Sequence, residues 1–153
     1  MRISGISFSE SQVLDRNRIA KDIADIALAR GELERLIAVD QATFFSDSRN
    51  AFSVRYLIIQ AVEALTDLCQ HMLARTRGIP CAGYIDCILK AGEHGIISVA
   101  LAERLRRLAA LRNILVHRYW NIDDARVYVE TKANLSDLTT FIDEIEALVR
   151  TLP

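Results

Sequence analysis

The sequence predicts an all-α bundle of long antiparallel helices. Apolar residues return at three- and four-residue steps through the long segments, no segment sustains the two-residue alternation of a strand, and 6 Gly and 2 Pro are all that punctuate 153 residues. A hydrophobic fraction of 51% excludes collagen and low-complexity disorder. A chain of this length buries roughly 68–70% of the surface its unfolded form exposes, so one domain spanning 1–153 is expected.

Residues 1–12 are Ser-rich and show no apolar row, which reads as a flexible or packing arm. Ile19, Ile23, Ile26, Leu33 and Ile37 then fall on one helical face, with Arg30 interrupting the row. The stretch 40–47, with Phe44 and Phe45, reads as a loop. Ser48 is placed to cap a second helix whose row, Val54, Ile58, Ala61, Leu65, Leu68 and Met72, keeps the spacing of a helix packed on another helix; Gly78-Ile79-Pro80 ends it. A shorter helix is expected over 82–91, stopped near Gly92 and Gly95, and Ser98 caps a fourth. The last helix carries Leu135, Leu138, Ile142, Ile145, Val149 and Leu152, and Val127-Tyr128-Val129 belongs to a short helix after Asp123-Asp124.

The 19 Lys and Arg against 20 Asp and Glu leave a net charge of -1, so any attraction for a polyanion has to be local. Lysine occurs only at Lys21, Lys90 and Lys132; the rest of the basic set is arginine, which suits interfaces and phosphate, although a GC-rich genome produces the same bias. Cys69, Cys81 and Cys87 show no C-x-x-C spacing and read as free thiols in a reducing cytoplasm. Cys69 and His71 point to different helix faces, against a shared metal. No apolar run reaches about 18 residues, so no membrane partner is expected.

One position breaks the packing logic. The inward row of the fourth helix runs Leu101, Leu105, Leu108 and then Arg112 before Leu115. A guanidinium in a core slot must find partners or stay hydrated, which places it in a cleft, a subunit interface or a structural ion pair. Asn113 and His117 are four apart and share a face, while Arg112 lies about 100° round from Asn113 with a side chain long enough to join it. Tyr119 points away unless the helix ends near Arg118, which would let its hydroxyl swing back. An arginine fork, an amide and an imidazole that titrates near neutrality suit a phosphodiester, and RNA brings its own nucleophile in the 2′-hydroxyl. No metal or other cofactor is called for. A single histidine at the site is thin for both acid and base roles, which favours paired sites in a two-fold homodimer, where the apolar surplus would also be buried. The bland alternative makes His117 a helix-end cap and Arg112 the partner of a buried acid such as Glu63 or Asp67.

Residues Arg112 to Tyr119 have the form R-x4-H-x-Y, with Asn113 directly after the arginine. This resembles the signature of the HEPN superfamily, and the surrounding helix, with Leu101-Ala102-Glu103-Arg104-Leu105 leading to Leu111, resembles its HepT-like branch; the likeness covers most of the chain from Val13 onward. The resemblance implies a HEPN-type bundle and a metal-independent endoribonuclease whose dimer lines a shared cleft with Arg112 and His117, supported by Asn113. It also implies the toxin of a type VII-like toxin–antitoxin system, neutralised when a minimal, MntA-like nucleotidyltransferase antitoxin transfers AMP to Tyr119. The added anion would obstruct RNA or occupy the phosphate site of Arg112. Arg104 and Arg118 are candidate RNA contacts; for Arg106 and Arg107 a solvated outer face with Glu103 as partner is the stronger reading. The alternative functions are an inactive helical module that binds RNA or a nucleotide, or serves as scaffold for a nucleotidyltransferase, and a purely structural homodimer in which Arg112 is an interface ion pair.

Overall fold

The computed structural model describes residues 13–153; the arm expected over 1–12 lies outside them. Six helices follow in order: α1 (Arg16–Ile37), α2 (Gln41–Phe45), α3 (Ser48–Arg77), α4 (Tyr84–Glu93), α5 (Val99–His117) and α6 (Asp124–Arg150), with no strand among the described residues. The all-α expectation therefore holds.

α1 and α3 form the central pair because their apolar rows face each other. Ile26 and Ala29 of α1 and Ala61, Val62, Leu65, Leu68 and Met72 of α3 are wholly buried. Ala29, one step before Arg30, occupies the inward position, which leaves Arg30 free to pair across the surface with Glu34 at 2.7 Å. α6 packs on α1 through Leu138, Phe141 and Ile145, all at 2% exposure or less.

Side-chain caps start five of the helices: Asp15, Asp40, Asp47, Ser98 and Asp123 each accept a hydrogen bond from a backbone N–H of the first turn. The cap expected at Ser48 is in fact Asp47, one residue earlier, where the carboxylate accepts from the Arg49 amide at 3.0 Å. The stretch read as a loop contains α2, which Asp40 caps at Thr43 N–H (2.8 Å). Phe44 on this short helix is buried against the Tyr128 ring, 4.9 Å between centroids.

Two other boundaries differ from the sequence reading. The segment with Val127 and Tyr128 is not a separate short helix: α6 runs unbroken for 27 residues, because Tyr128 is buried and donates its hydroxyl to the carbonyl of Val39. Tertiary burial outweighs the modest helix propensity of the β-branched and aromatic run. α4 begins at Tyr84 rather than at 82, since Gly83 sits at φ 85° just before it.

Cys81 and Cys87 are joined in a disulfide that ties the approach to α4 onto its second turn. The reading of three free thiols is corrected for these two. Their six-residue separation matches no common sequence pattern, yet the turn at Gly83 brings them together. Cys69 is free and buried, and burial pushes its thiol up to about 12.

Gly78, at φ 65°, closes α3: its N–H donates to the carbonyl of Ala74, and the N–H of Ile79 to that of Leu73, both at 3.2 Å. Gly92 has a different task. A Cβ there would stand 2.7 Å from Cβ of Ala102, so the absent side chain is what lets α4 lie against α5. That contact carries Tyr84 to the face of α5 where Arg112 emerges.

Candidate active site

Arg112 sits in the last two turns of α5, on the inward row that begins with Leu101 and Leu105, and is 9% exposed. Two neighbouring helices enclose its guanidinium. From α3, Glu63 Oε1 accepts a hydrogen bond from Nη2 at 2.9 Å. From α4, the ring of Tyr84 lies under the guanidinium plane, 4.0 Å from Cζ to the ring centroid. The Tyr84 hydroxyl donates to the same Glu63 oxygen, and that bond holds the phenol above its usual pKa. Nη1 donates to Asn113 Oδ1 at 3.2 Å, while Nε is buried without a partner among the described residues.

This arrangement answers the desolvation problem that the sequence raised. One carboxylate oxygen and an aromatic face compensate the buried charge, and each Nη nitrogen keeps an N–H beyond the bonds it makes. Of the two acids named as alternative partners, Glu63 takes Arg112, whereas Asp67, one turn further along α3, is held by Arg18 of α1.

Arg112, Asn113 and His117 line one open pocket of about 380 Å³, whose opposite wall is the loop and first turn of α4 from Ala82 to Asp86. His117 is the last residue of α5 and is exposed. The structure thus brings together the arginine, the amide and the imidazole of the motif. Tyr119 lies elsewhere. The helix ends where the sequence reading required, with Arg118 at the cap, yet Tyr119 is 67% exposed, packs edge-on against Trp120 at 5.2 Å and does not line that pocket.

The other arginines separate by their partners. Arg104 donates from Nε to Asp137 of α6 at 2.8 Å, a contact to an acid that is 9% exposed. Arg106 pairs with Glu103 at 3.2 Å along the outer face, as the solvated reading expects. Arg118 turns to the opposite side of α5 from Arg112, toward α6. Tyr84 and Glu63 complete the surroundings of Arg112; Glu63 was considered only as a structural acid, and Tyr84 carried no signal because α4 reaches α5 only through the tertiary contact at Gly92. Among the described residues no group of three His, Cys, Asp or Glu could hold a metal ion. No helix of the described residues is long and apolar enough to cross a membrane.

Comparison with known proteins places the chain in a family. The family model described as ribonuclease HepT-like matches residues 26–145, which takes in α3, α4 and α5 whole and nearly all of α6. The chain belongs to the HepT-like family. Within that family it is 28% identical over 109 residues to the mRNA nuclease HepT of Shewanella oneidensis, a match covering 71% of this chain and 81% of that protein. It is 24% identical over 90 residues to the tRNA nuclease HepT of Aphanizomenon flos-aquae, covering 59% of this chain; the match spans 61% of that relative's length. The solved structure of the tri-AMPylated Shewanella oneidensis HEPN toxin in complex with MNT antitoxin superposes with a TM-score of 0.78 and 25% identity, over 85% of this HepT-like chain and 97% of that one. The YutE protein of Bacillus subtilis shares the fold, with a TM-score of 0.71 at 20% identity over 90% of this chain and 92% of its own.

Proposed function

We propose that this HepT-like chain is a metal-independent endoribonuclease and the toxin of a toxin–antitoxin pair, active in the cytoplasm as a two-fold homodimer. The observation that carries this reading is the buried Arg112, held by Glu63 and Tyr84 and opening with Asn113 and His117 into one pocket at the spacing of the family motif. The nuclease names of two relatives support the reaction class.

In the proposed reaction a ribose 2′-hydroxyl loses its proton to an imidazole and attacks the adjacent phosphorus. The free N–H groups of Arg112 bind the phosphate oxygens as charge builds on them. The leaving 5′-oxygen takes a proton from a second imidazole, that of the other copy in the dimer, and the products are a 2′,3′-cyclic phosphate and a 5′-hydroxyl. Each copy then supplies one of two proton-transfer groups, which answers the presence of a single histidine in the pocket.

Neutralisation by a nucleotidyltransferase antitoxin is part of the same proposal. A solved relative is an AMPylated toxin bound to its MNT antitoxin, and Tyr119 stands exposed where such an enzyme can reach its hydroxyl. Attack of the Tyr119 hydroxyl on the α-phosphorus of ATP, with loss of its proton and release of pyrophosphate, would leave AMP on the tyrosine and set a bulky anion two residues from His117. The test is to express the chain alone and with a minimal nucleotidyltransferase encoded beside it. Expressed alone it should arrest growth; co-expressed, the intact protein should gain mass in AMP steps that a Tyr119→Phe variant lacks. Normal growth in the first arm, or an unmodified Tyr119 in the second, would count against the toxin and antitoxin roles respectively.

A further inference from the structure

The face of α5 turned away from Arg112 carries a second feature that the motif does not explain. Arg107, Leu111, Ile114 and Arg118 succeed one another at steps of four, three and four, so they form a single row along the helix. This row and the start of α6 bound an open groove of about 440 Å³. Its floor is apolar, with Leu111, Ile114 and Ile122, and Ile114 is 39% exposed. Four arginines, Arg106, Arg107, Arg118 and Arg126, line it against two acids, Asp123 and Glu130. Arg126 and Arg106 are answered by Glu130 and Glu103, but Arg107 and Arg118 form no ion pair among the described residues.

An apolar floor between two unpaired guanidinium groups fits a nucleotide: the base lies on the floor or against a guanidinium plane, and the phosphates meet the arginine forks. The groove also lies where a strand leaving the catalytic pocket would arrive. His117 borders the pocket and Arg118, the next residue, borders the groove, with the exposed rings of Tyr119 and Trp120 just past the helix end. We propose that the α5–α6 groove is a subsite for single-stranded RNA, holding a nucleotide that flanks the scissile bond after the strand has passed the end of α5. The proposal rests on the nuclease reading, and it assigns to Arg107 and Arg118 the gripping of a flank, a task separate from Arg112's at the reacting phosphate.

Oligoribonucleotides with 2′-O-methyl sugars test this, since they lack the attacking hydroxyl and report binding alone. Affinities of a trinucleotide and a nonanucleotide are measured by fluorescence anisotropy for the full chain, for the double variant Arg107→Ala, Arg118→Ala and for Ile114→Gln. The wild-type chain should prefer the longer strand by about tenfold or more, the scale of one stacked base with its phosphate contacts. In the double variant that preference should shrink to about twofold, and Ile114→Gln should lose part of it. Circular dichroism checks that both variants stay folded. A length preference unchanged in both variants overturns the subsite. So does a double variant that alters the oligomeric mass in sedimentation while binding both strands as before, because the groove would then be a protein contact. Cleavage of unmodified RNA by the wild-type chain, assayed in parallel, reports on the nuclease reading separately: a chain that cuts nothing yet shows the length preference and its loss in the variants retains the subsite and loses the activity.

Discussion

Glu63 and Asp67 lie one turn apart on α3, and each holds an arginine from another helix. Around Asp67 the cluster closes on itself. Arg18 of α1 pairs with it, the carboxyl of Asp22, 5% exposed, lies close by with its Oδ2 buried and without a hydrogen-bond partner among the described residues, and the nearby His71, 3% exposed, accepts the backbone N–H of Asp15 at 3.0 Å. Burial, followed by the proximity of Asp67, raises the Asp22 pKa to about 7; the hydrogen bond from Arg18 is the main cause that lowers Asp67 to about 2. Around Glu63 the arrangement stays open. Arg112 is anchored on one oxygen and one ring face, and the pocket beside it admits solvent and His117. Each cluster sets a buried ionisable group of another helix, Arg112 or Asp22, near a partly exposed acid of α3, but only the one at Glu63 leaves donors facing a space that a ligand can enter. Burial of a charge is therefore a poor marker of a site by itself; burial with an opening is the better one.

The comparison is broken most severely at its arginines. Arg112→Ala should reduce RNA cleavage by about 10²–10³-fold, the usual scale for losing a charge-stabilising donor, with a stability loss of about 1–3 kcal/mol from the lost packing of its buried side chain and its contact with the Tyr84 ring. Arg18→Ala, on the closed cluster, should lower stability and leave cleavage as it was. Initial rates on a labelled RNA together with thermal melts of both variants check the pair, and equal losses of cleavage in the two would erase the distinction drawn between the clusters.

Asp22 sharpens the contrast through pH. Its folded pKa lies above the ordinary carboxylate value, so the folded state holds the proton more tightly, and this group's contribution to stability falls as pH rises from about 3.8 to about 7. Asp22→Asn removes that cost. It should stabilise the fold by roughly 1–3 kcal/mol at pH 8 and by progressively less toward pH 4, with cleavage untouched. Denaturant melts at several pH values give the answer; a gain that does not grow with pH would contradict the assignment.

The mildest expected effect is at Tyr84. Tyr84→Phe keeps the ring under Arg112 and loses only the bond to Glu63, so cleavage should fall by less than about tenfold, whereas Tyr84→Ala removes the cation–π support as well and should cost more. Equal activity in the two variants would show that the ring does not hold Arg112.

Much of this is legible in the amino-acid sequence. The row on α3 could be read residue by residue because a helix buried along one stripe repeats at 3.6 residues, and Ser98 could be read as a cap because its hydroxyl accepts the Leu101 amide locally. Arg112 stood out for the same reason in reverse, a charge in an apolar row. Contacts made across helices were not legible. Tyr84 meets Arg112 only because Gly92 lets α4 approach α5, and Asp22 stayed hidden because Ile19, Ile23 and Ile26 already accounted for that face of α1. The disulfide belongs with these: Gly83 turns the chain so that Cys81 reaches Cys87, and no periodicity announces such a turn.

The role given to the open cluster is tested most directly at His117, which is exposed at the end of α5 and can be replaced without disturbing the core. The measurement is cleavage of a 5′-labelled RNA by purified wild-type and His117→Ala protein in the presence of EDTA, with circular dichroism of both. The wild-type chain should cut without metal and leave 2′,3′-cyclic phosphate ends, while His117→Ala, equally folded, should show a rate at least about 10²-fold lower. Cleavage by His117→Ala at the wild-type rate would contradict the assignment of this pocket as the catalytic site.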